Sequence, residues 1–207
     1  MHDTHDTTET VIEALFAHYV HELCADMRGF RDGAVYAWFA HAARGWDDER
    51  TAAHLTVLTT DLVGAPEHNE EVYDRVRALA RRQGFAVRAS DDRALPLRDI
   101  LVSGGVITVS AYANVTTVQW VVLAALFLAQ VTVGVARLPD VVAVARAYGA
   151  AYGALRALGV DTPNAARALV LEGVPPAAVE DNIDEIARLV GTALRDVEPL
   201  EARMASV

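Results

Sequence analysis

The sequence predicts a mainly α-helical single domain, a bundle of roughly seven to nine helices around a hydrophobic central helix. Three observations carry this. Apolar residues make up 53% of the 207 positions, enough for a sizeable core, and the length suits one domain. Stretches with apolar residues at helical spacing recur from Val11 to Leu194. Between them, residues 100–136 run for 37 positions without a charge or a histidine. The expected organisation is a disordered polar N-terminus (1–9), a helical domain (10–197) and a C-terminal tail (198–207). Minor β structure is allowed at 54–60, 85–89 and 106–110.

Thr10 and Glu13 fit a capping box, in which each side chain satisfies a backbone amide at the start of a helix. Val11, Ile12, Leu15, Phe16, Tyr19, Val20, Leu23 and Met27 follow as one apolar stripe, and Gly29 can end it. Asp32 can cap a second helix through Trp38, Phe39 and Ala43. Asp47 can cap a third through Leu55, Leu58 and Leu62, although His54–Thr60 is β-branched enough to read as a strand. Pro66 suits the first turn of a helix carrying Val72, Val76 and Leu79, and Gly84 suits its end.

Residues 85–99 read as a loop or a short extended piece, with turn chemistry at Asp91-Asp92 and a break at Pro96. Val106–Ser110 reads either as a strand pairing with Phe85–Arg88 or as the first turns of a helix running on to Ala136; the helix is the expectation. Pro139 opens a further helix that ends at Gly159, and a short one follows Thr162-Pro163 and ends near Gly173. After Pro175-Pro176, one last helix places Val179, Ile183, Ile186, Val190 and Leu194 on a single face.

Residues 115–136 are expected to be the most buried helix. Their apolar run is also long enough to cross a bilayer, which takes roughly 20 residues. Gln119 and Gln130 fall on nearly the same helix face, and the flanks carry no excess of basic residues. Both features favour burial in protein, where amides find partners. A membrane protein with one span at about 116–136 stands as the alternative.

Acids outnumber bases 28 to 18 and every base is Arg, which disfavours nucleic acid as a partner. The polar, acidic start resembles neither a signal peptide nor a transit peptide, so a cytoplasmic or membrane-associated protein is expected, not a secreted one. The lone Cys24 allows neither an intrachain disulfide nor a multi-cysteine metal site. No phosphate loop, dinucleotide fingerprint, nucleophile elbow or paired-histidine zinc motif occurs, and neither an enzyme nor a cofactor is expected. His18, His21 and Glu22 stand at i, i+3 and i+4 and are the candidates for a metal. They lie opposite the apolar stripe without further ligands, so solvated side chains are the expectation and a His-based metal site the alternative.

Three stretches carry a likeness to known proteins: the amphipathic Val11–Phe30, the acidic–apolar–glycine run Asp99-Ile100-Leu101-Val102-Ser103-Gly104-Gly105, and the helix ending Leu155-Arg156-Ala157-Leu158-Gly159. In this order they resemble the Bcl-type family of apoptosis regulators: its first helix, the lead-in to its central helix, and a glycine-containing turn. Ala43-Arg44-Gly45-Trp46-Asp47-Asp48 is similar to its short death-motif helix. After the glycine pair, however, that family has Asn-Trp-Gly-Arg where this chain has Ile107-Thr108-Val109-Ser110. The arginine that pairs with a partner's aspartate is therefore missing, and no C-terminal anchor is expected after Leu194. The resemblance implies a non-enzymatic interaction protein whose apolar groove takes an amphipathic helix of a partner protein. Trp38, Phe39, Val72, Val76, Leu79, Gly104 and Gly105 would line the groove. All-arginine, GC-rich coding would suit a large DNA virus modulating host cell death.

Overall fold

A computed structural model describes residues 3–45, 69–91, 105–111, 113, 115–131 and 140–197. Residues 46–68, where the third helix and the strand at 54–60 are expected, lie outside the described residues, as do Gly104, residues 132–139 and the tail from 198. Among the described residues, eight α-helices and one small sheet follow in order. They are α1 (Asp3–Arg31), α2 (Ala34–Ala42), α3 (Asn69–Arg82), β1 (Ala86–Ser90), β2 (Val106–Ser110), α4 (Val115–Val131), α5 (Val141–Ala157), α6 (Ala165–Leu171), α7 (Pro176–Glu180) and α8 (Ile183–Val197). A 3-10 turn, Ala43–Gly45, extends α2. The chain is mainly helical, as its sequence predicts.

Several boundaries differ from expectation. The polar start is helical from Asp3, so Thr10 lies inside α1 and the capping box does not open it. Gly29 does not stop α1, which continues to Arg31. Gly33 rather than Asp32 precedes α2, its carbonyl accepting from the Ala37 amide. The expected last helix is two, α7 and α8. Asn182 breaks it, its side-chain amide donating to the Ala178 carbonyl while its oxygen accepts from Arg146 Nε at 2.7 Å.

Val106–Ser110 is a strand and not the start of the long helix. It pairs in parallel with β1, Ala86 opposite Val106 through Ser90 opposite Ser110. The run of β-branched residues suits a pleated strand. Alternation then buries Ile107 and Val109 while leaving Val106, Thr108 and Ser110 half-buried.

Gly84, Gly159 and Gly173 close α3, α5 and α6 by one motif. In each the glycine has φ near +80°, and the next residue's amide reaches back to the last turn: Phe85 to Ala80, Val160 to Leu155, Val174 to Leu169. Orphan carbonyls are satisfied and the chain reverses sharply. At the other end of α5, Asp140 caps by accepting the Ala143 amide at 2.8 Å.

The core joins two groups of helices. α4 packs between α3 and α5 with β2 beside it, and Val118 to Leu128 are buried without interruption. α5 reaches further, touching α4, α8, α1 and α7. Its alanines together with Gly149 and Gly153 permit that closeness; Gly153 lies against Val190 of α8. α1 contributes Phe16, Val20, Leu23, Cys24 and Met27, each at most 1% exposed, and lies on α6, α7 and α8. The two glutamines of the central stretch part company, Gln119 fully buried and Gln130 exposed at the helix end.

Among the described residues, no helix is long and apolar enough to cross a membrane. α4 covers 17 residues, and residues 132–136 of the alternative span lie outside the described residues.

Candidate interaction surface

α2 reads Ala-Val-Tyr-Ala-Trp-Phe-Ala-His-Ala, apolar but for His41 three positions after Trp38, so its sequence gives little sign of which face is buried. Tertiary contact decides. Tyr36 is half-buried, its ring meeting Phe30 of α1 edge-on at 5.9 Å, and Arg167 of α6 lies 5.2 Å from the Phe30 ring centre. Trp38, two positions on and hence about 200° around the helix, points away and is 62% exposed. Ala34, Ala37, Trp38 and His41 are all exposed, at i, i+3, i+4 and i+7. They form one continuous stripe, the spacing by which a helix face meets another helix. The stripe was missed in sequence reasoning because its alanines look like ordinary helix filler.

The described residues among those expected to line a groove fall in different surroundings. Val72, Val76 and Leu79 are 3–7% exposed and belong to the core between α3 and α4, not to an open surface. Their i, i+4, i+7 spacing is that of any amphipathic helix, whether its partner is internal or external. Gly105, with φ +78°, is the turn into β2; a side chain there would sit 3.2 Å from the Gly84 carbonyl oxygen. The Phe39 side chain and Gly104 lie outside the described residues. Among those of the seven that are described, Trp38 alone is exposed.

The histidine group is partly an ion-pair network. Glu22 stands 3.4 Å from His18 Nε2, and its other oxygen accepts from Arg156 of α5 at 3.3 Å. Arg156 also reaches Asp161 at 3.5 Å and lies over the Tyr19 ring at 5.6 Å. Glu22 thus ties α1 to α5 while His21 remains exposed. Among the described residues, no three of His, Cys, Asp and Glu gather as a metal site.

Cys24 is fully buried, and burial pushes its thiol up to about 11, with Glu180 adding and Arg28 opposing. A thiol so held is a small core hydrophobe rather than a nucleophile. The Arg28 and Glu180 side chains form a 2.7 Å exposed ion pair that joins α1 to α7.

Compared with known protein families, characterised proteins and solved structures, the chain matches none.

Proposed function

We propose that this is a non-enzymatic interaction protein that docks an amphipathic helix of a partner protein, with α2 as the docking element. Regulation of cell death in the Bcl manner is the setting that the sequence resemblance implies. One observation supports the docking reading: a tryptophan 62% exposed in a stripe of alanines on a nine-residue apolar helix. Covering that ring would contribute on the order of 3 kcal/mol before the costs of association. Tryptophan is among the residues most often found to dominate binding interfaces. Small neighbours let a partner backbone come close on either side of the ring. Without an arginine at the family's position, a lost charge pair could cost about 2–5 kcal/mol, so apolar anchors have to supply the affinity.

Titration of the full chain against a panel of amphipathic death-motif peptides tests the reading. At least one peptide should bind, and Trp38→Ala should remove binding while leaving the circular dichroism and thermal midpoint unchanged, since the side chain is exposed. No binding by any peptide at high micromolar concentration, or binding indifferent to Trp38, would overturn it. The metal reading is separated by zinc titration with a His18→Ala/His21→Ala control: stoichiometric uptake lost in the double variant would favour it. Fractionation with an alkaline wash tests membrane embedding.

A further inference from the structure

Among the described residues, the two-stranded sheet has an open edge on β1, and its geometry says which groups lie there. The Ala86 amide donates to the Gly105 carbonyl, and the Ser90 carbonyl accepts from the Ala111 amide. In a parallel ladder bonding residues alternate, so Ala86, Arg88 and Ser90 turn their backbone groups toward β2. Val87 and Ala89 therefore turn their amides and carbonyls outward, and among the described residues these groups have no partner. Parallel sheets are almost always covered on both faces. Here Ala86, Arg88 and Ala89 are exposed, and only Val87 and Ser90 are half-buried. Natural proteins usually block such an edge by charged side chains, proline, a bulge or a covering element. β1 carries neither proline nor a bulge, and Arg88 is its single charge.

Charge gives the edge a chemical character. The chain has a net charge of −10, yet residues 75–90 hold five arginines and no acid, with Asp74 just before them and Asp91-Asp92 just after. Arg81 and Arg82 end α3, and Arg88 stands in the middle of β1. All three are exposed and, among the described residues, make no ion pair. Arg28, Arg156 and Arg188, by contrast, each hold a carboxylate. A second copy of β1 laid antiparallel about Arg88 would set two arginines opposite each other, which is unfavourable.

We infer that the β1 edge takes an extended acidic segment of a partner protein as a third strand. Backbone bonds to Val87 and Ala89 would hold it, and an acid opposite Arg88 would select it. Main-chain pairing supplies affinity in this mode, and alternate side chains supply specificity. The site is separate from α2 and does not depend on the reading given to Trp38.

The probe is a seven-residue peptide of alternating Glu and Val, with a Lys–Val peptide of equal length as control, each titrated into the full chain. The acidic peptide should bind, slow amide exchange at Val87 and Ala89, and weaken as salt is raised. Arg88→Glu should weaken it by about tenfold or more. Ala89→Pro removes one outward amide at an edge position that tolerates proline, and should abolish binding with the helical signal intact. Trp38→Ala should leave it unchanged. Any of three results would overturn the inference: no binding of the acidic peptide at about 1 mM, equal binding of the lysine peptide, or protection that spares Val87 and Ala89. Protection of those two amides without peptide, rising with protein concentration, would assign the edge to a second copy instead.

Discussion

The indole Nε1 of Trp120 donates to the backbone carbonyl of Tyr148 at 3.1 Å, and the two rings meet edge-on with centroids 4.9 Å apart. This contact joins α4 to α5. Trp120 is 3% exposed and Tyr148 1%, so an indole N–H that would otherwise be orphaned in the core is satisfied by a helix carbonyl. Trp120→Phe keeps an aromatic ring but loses the donor and some volume. It should cost about 1–3 kcal/mol by denaturant unfolding with an unchanged slope. A loss below experimental error would mean that the pair does not tie the helices together.

The two glycines of α5 should respond differently to alanine. A Cβ on Gly153 would lie 3.5 Å from Val190 Cγ2, an ordinary contact. Gly153→Ala should then stabilise by about 0.5–1 kcal/mol through helix propensity. A Cβ on Gly149 would come within 2.9 Å of Ile186 Cδ1, which must turn aside inside a filled core. Overpacking there offsets the propensity gain, so Gly149→Ala should be less favourable by about 1 kcal/mol or more. Thermal midpoints of the two variants give the order, and the reverse order would refute the packing described for α5 and α8.

Burial on every side should make Val118 to Leu128 among the slowest-exchanging amides of the chain in aqueous buffer. Leu123→Arg, at a position 5% exposed, should prevent folding by leaving a charge in the core. Fast exchange across this segment would refute its place in the core.

Stability should fall in alkali. Burial foremost raises the Cys24 thiol from 9.0 to about 11 and the Tyr152 phenol from 10.0 to about 12, the latter opposed by Arg156. Both groups are neutral when protonated, so the folded chain holds these protons more tightly than the unfolded chain. The resulting stability is whole below pH 9 and is lost as pH rises through about 11 and 12. Thermal midpoints should be insensitive to these two groups up to pH 9 and then decline, with Cys24→Ala softening the first part of the decline. A profile unaffected by Cys24→Ala throughout would contradict the thiol's share.

How much was legible follows from what each segment had to satisfy. The apolar face of α1 from Phe16 to Met27 and the glycine ends at Gly84, Gly159 and Gly173 could be read directly, because a local pattern and a local bond are enough to specify them, although Leu15 of the same stripe is 44% exposed. Pro139 reads as the start of α5 in the sequence, but Asp140 caps it. Val106–Ser110 could not. Its β-branched residues suit a strand, but a strand needs a partner, and pairing with Ala86–Ser90 is not visible in either segment alone. Asn182 likewise looks like a helical residue until Arg146, 36 positions earlier, takes its side-chain oxygen.

The sequence by itself determined the mainly helical class, the apolar segment that had to be covered, the places where most helices end, and an acidic surface without the motifs of the enzyme classes considered. Tertiary structure alone decided which apolar faces turn inward. Val72, Val76 and Leu79 carry the same spacing as a docking face, and α4 lying across them makes them core. Trp38 sits in an apolar helix whose one polar side chain, His41, is too little to orient it, and Tyr36 packing on Phe30 turns it outward. Hydrophobic periodicity records that a face will be buried; only the positions of the other helices determine against what.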